Sequence, residues 1–554
     1  MEKDYTMDSI LRVQQDEKES GTSGAEDVIP PKGQKEASEH TIADADGLEK
    51  DERKGHDLIS YVLETVDSAT CIVQIPASRV VTLAGQCVIE ILQGTIRICG
   101  VCLVASPKKY RVYSYPWTQY LVFIESLDSS AYSELRKGED SHKMKSKKAQ
   151  TFDGSVLSIS TLRVRAPDRM TAIPNSIEAV PGLFLLKPQE DHGKGLPPYF
   201  EIWNEWEQLL RDVREAGKDA RIMIVGSRGG GKSTLARCLG NYIVEQYGKA
   251  LYLETDLGQP DKAPPGMLSL LKLCGVEYGS PMSPLDESSA VVVKSLFIGL
   301  TSPSGDPDAY SAASVALARE ARVPAQGIPL VVNTHGWFKG MGLDFVTSIA
   351  KSVDPTIVVY MERNQNSVGS SEMPEKLVKS LRQDTCTVHR VTSARTAYPD
   401  RSGRHLREER IASYFGRESP TYCVPYKSVK TYFIDAEVPE SQKFVALNGS
   451  LVALCQSDPA EPRPQIWPCS GLGIVRAVSP EDETLFICSP IPAHLLRSVD
   501  ALVLSRFIQI PTATMQQYGG QMELPYQADD VISLMSATMQ GRGGALKRKR
   551  LSEP

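Results

Sequence analysis

Arg221-Ile-Met-Ile-Val-Gly226-Ser-Arg-Gly-Gly-Gly231-Lys232-Ser233 is the stretch on which the fold of this chain turns. An apolar run of strand character enters a loop of the form Gly-x4-Gly-Lys-Ser. From Ser233 to Tyr247, Leu235, Leu239 and Ile243 then recur every four residues, which predicts a helix. A strand, a glycine loop and a helix in that order define a phosphate-binding loop. Glycines let backbone N–H groups curl around phosphate oxygens, and the helix N-terminus adds partial positive charge. Gly226, Ser227, Arg228, Gly229, Gly230, Gly231, Lys232, Ser233 and Thr234 are therefore assigned to ATP. Lys232 brings a catalytic charge to the β- and γ-phosphates, and Ser233 a hydroxyl for Mg²⁺.

The next apolar run, Ala250-Leu-Tyr-Leu-Glu254-Thr-Asp256, ends in two carboxylates. In a parallel sheet its end is expected beside the phosphate loop, and the alternating pair Glu254 and Asp256 on one face, both able to reach Mg²⁺ or an attacking hydroxyl. An acidic strand directly after the loop helix favours transfer to a hydroxyl over motor-type hydrolysis. From Arg221 to about Gly416, apolar strand runs alternate with helical patterns, so the core is expected to be α/β, a P-loop kinase core with a parallel sheet.

The flanks read differently. Residues 1–55 are rich in Glu, Asp, Lys, Ser and Gly, and are expected to be a disordered acidic and polar tail. Residues 56–196 form a β-rich N-terminal domain, with Cys71 to Ile75, Val80 to Leu83 and Cys87 to Leu92 as separate short strands. A polar loop from Ser129 to Gln150, carrying Lys143-Met-Lys-Ser-Lys-Lys148, is inserted in it. Pro197-Pro198 opens the kinase domain, 197–416, whose first helix is expected over 202–213 with Trp203 and Trp206 in its core. Residues 417–530 form a β-rich C-terminal domain, including Phe444-Val-Ala-Leu447, Leu472 to Val475 and Leu485 to Cys488 as strands. Residues 531–554 form a basic tail with Lys547-Arg-Lys-Arg550, a nuclear-localisation or RNA-contacting pattern.

Composition narrows the class. The 554 residues carry a formal charge of −6, so any basic nucleic-acid groove must be local. No run approaches the ~18–20 apolar residues of a membrane span, and the charged start lacks a signal-peptide core, so a soluble intracellular protein is expected. Eleven scattered cysteines make no disulfide framework, and Cys99-Gly-Val-Cys102 reads as buried thiols in a strand.

Asp256-Leu-Gly-Gln259-Pro-Asp-Lys-Ala-Pro-Pro-Gly266 resembles the signature of eukaryotic polynucleotide 5′-hydroxyl kinases. Phe297-Ile-Gly-Leu-Thr-Ser-Pro303 with Asp306, Pro307 and Tyr310, and Asn333-Thr-His-Gly-Trp337 with Lys339-Gly340, fit the same family. The Glu-x-Asp-Leu-Gly-Gln form and the Asn-Thr-x-Gly-Trp block look more like its nucleolar ribosomal-RNA branch than its messenger- and transfer-RNA branch. The resemblance implies that Asp256 acts on the acceptor hydroxyl as base or through Mg²⁺, and that Gln259 holds the RNA end. It implies that Thr334 and Trp337 belong to a clasp on the terminal nucleotides, with the indole stacking on a base. Lid arginines close over the phosphates, and Arg404 and Arg407 are the favoured pair within Arg401 to Arg410. The chain departs from the pattern at Glu254, where part of the family has Asp, and at Lys262, where an aromatic is frequent. His335 occupies a variable position, and no catalytic role is expected of it.

The function this implies is ATP- and Mg²⁺-dependent phosphorylation of RNA 5′-hydroxyl ends during removal of the spacer between ribosomal RNAs. A partner endonuclease would create those ends, in the nucleus and nucleolus, without membrane contact. The rival readings are a non-catalytic ATP-binding scaffold of an RNA-processing complex and the messenger- and transfer-RNA branch.

Overall fold

Apolar residues at every second position build the first module as antiparallel sheet. Its described strands are β1 (Val62–Thr65), β2 (Thr70–Pro76), β3 (Val80–Ile98), β4 (Val101–Ser114), β5 (Phe123–Leu127), β6 (Gly154–Thr161), β7 (Ser176–Val180) and β8 (Leu183–Leu186). The main path runs β1-β2-β6-β3-β4, and β5 and β8 also pair with β3. Cys71, Val73 and Ile75 of β2 face Ile89, Ile91, Leu157 and Ile159 in one buried cluster. The two strands expected over 80–92 are a single one. Gly85 bends the chain at φ 131° without turning it, and β3 continues for 19 residues.

The computed structural model describes residues 61–511, apart from 115–121, 129–153, 162–175, 181–182, 187–204, 280–288, 364–372, 394–401, 416–418 and 461–463 and the single positions 324, 326, 383, 435 and 459. The 1–55 tail, the basic loop over 143–148, Pro197-Pro198, Trp203, Arg401 and the 531–554 tail all lie outside the described residues.

The kinase core comprises α1 (Trp206–Ala216), β9 (Arg221–Gly226), α2 (Lys232–Tyr247), β10 (Ala250–Glu254), β11 (Met267–Leu273), β12 (Tyr278–Gly279), β13 (Ala290–Phe297), α3 (Pro307–Arg322), β14 (Leu330–Asn333), α4 (Met341–Val353), β15 (Ile357–Arg363), β16 (Thr387–Ser393) and α5 (Gly403–Phe415). Five strands are parallel in the order β16-β15-β9-β14-β10. Alternation along β9 serves two faces: Met223 and Val225 pack toward α3 and α4, whereas Ile222 and Ile224 pack toward α1 and α2. Burial on both faces is why this strand reads as a continuous apolar run. The helix expected over 202–213 is described from Trp206, whose indole is buried in the α1–α2 layer.

The sheet does not stay parallel. β11 returns from β10 without a crossover helix and pairs antiparallel, and β13 follows it antiparallel. At Leu296 and Phe297, β13 meets Pro468 and Trp467 of the C-terminal module, whose described strands are β17 (Thr421–Pro425), β18 (Lys430–Ile434), β19 (Leu451–Cys455), β20 (Trp467–Ser479), β21 (Thr484–Cys488) and β22 (Ala501–Ser505). One sheet thus runs from the phosphate loop into the C-terminal module. Residues 444–447, expected as strand, lie in a short helix, Lys443–Leu447, following Pro439 and the turn Glu440–Gln442. A four-residue apolar run carries too little periodicity to separate the two states. No helix among the described residues is long and apolar enough to cross a membrane.

Two contacts seat the first module on the phosphate-loop helix. Cys99 and Gly100 form a two-residue turn with φ of 49° and 85°, the geometry of a tight hairpin. Its tip meets α2, where Asn241 Nδ2 donates to the Cys99 carbonyl at 3.1 Å, and β12 pairs in parallel with β4. Burial pushes the Cys99 thiol up to about 12, so it stays protonated at that contact.

Beneath the contact lies a buried ion cluster. Arg237 of α2 binds Asp261 at 2.6 Å and Glu277 at 3.3 Å, and Lys262 pairs with the same Glu277. Lys262 also lies over the Tyr252 ring at 5.2 Å, so the residue standing where an aromatic is frequent is consumed by the core. Removing one partner of such a pair strands the other charge. Arg237→Ala is therefore expected to cost about 3 kcal/mol of stability, read as a fall in the urea midpoint of the full chain. An unchanged midpoint would show that the cluster is not needed to hold the fold.

Candidate active site

The phosphate loop leaves β9 at Gly226, whose φ is 140° and where a Cβ would stand 2.5 Å from the Met361 carbonyl oxygen. Only glycine fits there. Lys232 opens α2, 7% exposed, with Nζ donating to the Ser227 carbonyl at 2.9 Å across its own loop. Burial lowers its pKa to about 8, and Asp256 and Glu254 pull in the opposite direction. Residues 228–234 line one cavity together with Asp256, Gln259, Gly336, Arg407 and Arg410.

In the sheet β14 lies between β9 and β10, and the end of β10 reaches the phosphate-loop cavity through Asp256 without being the neighbour of β9. Asn333, at the end of β14, fills the gap: its Nδ2 donates to Ser233 Oγ at 3.2 Å and to Glu254 Oε1 at 3.1 Å. Glu254 also accepts the Asp256 and Asp261 backbone N–H groups at 3.1 and 2.8 Å. It is fully buried and is not among the residues lining the cavity, and burial with Asp256 and Asp261 pushes its carboxyl up to about 8. Glu254 therefore organises the loop from behind, and the direct metal role expected of it is corrected.

Asp256, two residues beyond the strand, does line the cavity. Its Oδ1 accepts the Gly258 and Gln259 N–H groups at 2.9 and 3.0 Å, while Oδ2 has no hydrogen bond among the described residues. The carboxylate is held in orientation by one oxygen. The loop it starts is braced from below by Tyr310 of α3, whose hydroxyl donates to the Thr255 carbonyl at 2.8 Å. Asp306 caps α3 by accepting from Ala309 N at 3.0 Å, worth ~1 kcal/mol.

Arginines of α5 line the same cavity. Arg407 lines the cavity, and burial together with Arg228 holds its guanidinium below the usual range. A Cβ on Gly403 would meet Arg228 Nη2 at 3.0 Å, Gln259 Nε2 at 3.0 Å and Arg407 Nη1 at 3.3 Å, so these three side chains converge at the start of α5. Arg410 lines the cavity too, fixed by its Nε donating to the Ala263 carbonyl at 3.1 Å. Arg404 does not. Its side chain is 81% exposed and pairs with Glu408 one turn on, which corrects the favoured pair to Arg407 and Arg410. Spacing held no signal for this, because Arg404, Arg407 and Arg410 follow one another at the same interval of three. Arg407→Ala is expected to lower single-turnover phosphoryl transfer by about tenfold or more, and Arg404→Ala by less than about twofold, because an exposed ion pair contributes little. Equal losses from both would contradict this division.

The Asn333-Thr-His-Gly-Trp337 block follows β14 along the rim. Thr334 is buried and donates to the Ile224 carbonyl at 2.7 Å, so its hydroxyl locks β14 to β9 and is not offered to RNA, correcting that expectation. Gly336 packs on the phosphate loop, where a Cβ would stand 2.7 Å from Arg228 Cα. Trp337 is 36% exposed, its ring edge-on to Phe345 at 6.2 Å and packed against Gly342, and it does not line the cavity. The base of α5 is anchored apart from all this, as Ile411 and Phe415 pack on Leu451, Trp467 and Leu472 of the C-terminal module.

A phosphate loop facing a carboxylate across a cavity with arginines on a helix defines a P-loop phosphotransferase. Comparison with known proteins makes this specific. Residues 226–417 match the family described as the mRNA cleavage and polyadenylation factor CLP1 P-loop. Residues 60–157 match the N-terminal domain of the polynucleotide 5′-hydroxyl-kinase NOL9, and 417–511 the NOL9-like C-terminal domain. An Arabidopsis thaliana polynucleotide 5′-hydroxyl-kinase NOL9 is 29% identical over 354 residues, covering 57% of this chain and 93% of that protein. A Neosartorya fischeri polynucleotide 5′-hydroxyl-kinase grc3 is 27% identical over 378 residues, covering 64% of this chain and 44% of its own length. Among solved structures, the wild-type Clp1p–Pcf11p complex superposes with a TM-score of 0.52 at 15% identity, over 80% of this chain and 98% of that one, which supports the fold. Along residues 60–511 the chain is thus similar, segment by segment, to polynucleotide 5′-hydroxyl kinases of the NOL9 and Grc3 kind.

Proposed function

We propose that this protein transfers the γ-phosphate of ATP to the 5′-hydroxyl end of RNA. The observation that carries the reading is Asp256 held by Oδ1 with Oδ2 unbonded among the described residues, in one cavity with Lys232, Arg407 and Arg410. The 5′-oxygen bonds to the γ-phosphorus as the bond to the β,γ-bridging oxygen breaks. The hydroxyl proton passes to Asp256, and ADP leaves. Lys232, Arg407 and Arg410 stabilise charge on the transferring group. Gln259 and the partly exposed Trp337 hold the terminal nucleotide, where stacking on an aromatic is worth ~1–3 kcal/mol.

Ser233 and Asp256 offer the hard oxygen donors that Mg²⁺ takes beside phosphate oxygens and water. A Mg²⁺ held there would offset the charge of the β- and γ-phosphates. The family resemblance of the Asn333–Trp337 block supports ribosomal-RNA spacer processing beside a partner endonuclease that leaves 5′-hydroxyl ends. The Lys547–Arg550 run supports a nuclear and nucleolar location.

The test is transfer of labelled γ-phosphate to RNA oligonucleotides with a 5′-hydroxyl or a 5′-phosphate, with and without Mg²⁺. Labelling of the 5′-hydroxyl RNA alone is expected, and ATP binding without transfer would favour the scaffold. Depletion of the protein should leave spacer-derived ribosomal RNA with unphosphorylated 5′ ends; unchanged ends would remove the ribosomal assignment and leave the kinase.

A further inference from the structure

His335 sits between Thr334 and Gly336 with its ring buried at 3% exposure, edge-on to Tyr310 at 5.5 Å and to Phe345 at 6.3 Å. Its Nδ1 accepts the Trp337 backbone N–H at 3.2 Å, which leaves the ring proton on Nε2. That Nε2 is a buried donor with no hydrogen-bond partner among the described residues. Buried donors are rarely left so, and one beside a reaction centre asks for a function.

Strand register says which group it serves. β10 and β14 run parallel with Glu254 opposite Asn333, and Thr255 N continues the ladder to the Asn333 carbonyl at 3.0 Å. Asp256 and His335 each stand two residues beyond the last pair of this ladder. The charges acting on the imidazole are those of Asp256 and Lys232, and burial holds the ring well below its usual range, hence neutral. Asp256 Oδ2 makes no hydrogen bond among the described residues and belongs to a side chain that lines the cavity, whereas His335 Nε2 is buried. A buried donor without a partner thus stands near an acceptor open to the cavity.

We propose that His335 is a positioning residue for Asp256: its Nε2–H closes on Asp256 Oδ2 when ATP and the acceptor end fill the cavity. Hydrogen bonds of catalytic groups are often long in the empty enzyme and tighten with substrate. With Oδ1 held by two backbone N–H groups and Oδ2 by the imidazole, the orientation of the carboxylate plane is fixed. A neutral donor does this without cancelling the charge that Asp256 needs.

The inference rests on the kinase reading above, and the experiment separates the two. Full-length wild type, His335→Gln and His335→Asn are compared in single-turnover transfer to a 5′-hydroxyl RNA oligonucleotide, with KM for ATP and for RNA. Glutamine carries an amide N–H to the place of Nε2; asparagine can keep an acceptor for Trp337 N–H but does not reach Asp256. Transfer by His335→Asn is expected to fall about 10–100-fold with both KM values within about twofold, and His335→Gln to recover most of it. Asparagine turning over like wild type, both variants losing equally, or a loss confined to KM would each overturn the inference while leaving the kinase intact. A wild type that labels no 5′-hydroxyl RNA would overturn both.

Discussion

Lys232→Ala is expected to reduce phosphoryl transfer by about 10²-fold or more, since removing one group that stabilises transition-state charge commonly costs that much. The fold should survive. The ammonium makes one hydrogen bond, to the Ser227 carbonyl of its own loop, and ties no two elements together. Its burial also gives the sign of the stability effect. With the folded pKa lowered to about 8, the folded chain releases this proton before the unfolded chain does, so stability rises with pH through the window above about 8 and the buried charge is unfavourable below it. Alanine at 232 is thus expected to leave the melting temperature at neutral pH unchanged or raised. ATP brings negative charge that favours the ammonium, so its affinity should weaken in the variant. The checks are transfer of labelled γ-phosphate, ATP affinity and a thermal melt on the same preparation. Near-normal turnover would remove Lys232 from the chemistry, and a large drop in melting temperature would recast it as a structural residue.

The phosphate loop was legible because its chemistry is local. Glycines at 226 and 231, Lys232 and Ser233 must lie in one short segment, and the apolar strand before them and the helical spacing after them are read in windows of the same length. The α/β core and the β-rich flanks followed from periodicity in the same way. What escaped was set by non-local pairing. Sequence order puts the acidic strand directly after the loop helix, but a strand inserted later in the chain, β14, occupies the place beside β9. That one crossover turns Glu254 from an expected ligand into a buried bracket for Asn333 and the 256–261 loop.

Side-chain direction was equally hidden. Thr334 and Trp337 belong to one motif, yet Thr334 is buried and spent on the Ile224 carbonyl while Trp337 stays partly exposed. Arg404 and Arg410 differ in the same manner. The first turn of α5 lies at the rim, where Arg404 finds Glu408, whereas the third arginine of the series is drawn in beside Ala263. Spacing puts Arg407 and Arg410 on one face but does not say which face is inward. The lid helix is anchored by a C-terminal module far along the chain, and that packing makes the choice.

Asp256→Asn is expected to keep ATP binding and suppress transfer by about 10²–10⁴-fold, the range that a positioned general base contributes. The substitution is unusually clean in this loop. The amide oxygen of asparagine can take the place of Oδ1 and go on accepting the Gly258 and Gln259 N–H groups, so the turn at 256–259 is preserved. Only the second oxygen changes, from an acceptor bearing charge to an amide that donates. Neither of the other carboxylates nearby is placed to take over. Both Glu254 oxygens are held by Asn333 and by backbone N–H groups, and Asp261 is paired with Arg237 in the buried cluster. Single-turnover transfer at saturating ATP and RNA, with ATP affinity measured separately, decides the matter. Full affinity with transfer lost assigns the proton and the metal charge to Asp256. Transfer within a few-fold of wild type would mean that the acceptor hydroxyl gives its proton directly to the phosphate or to water, and that the carboxylate serves only to shape the turn.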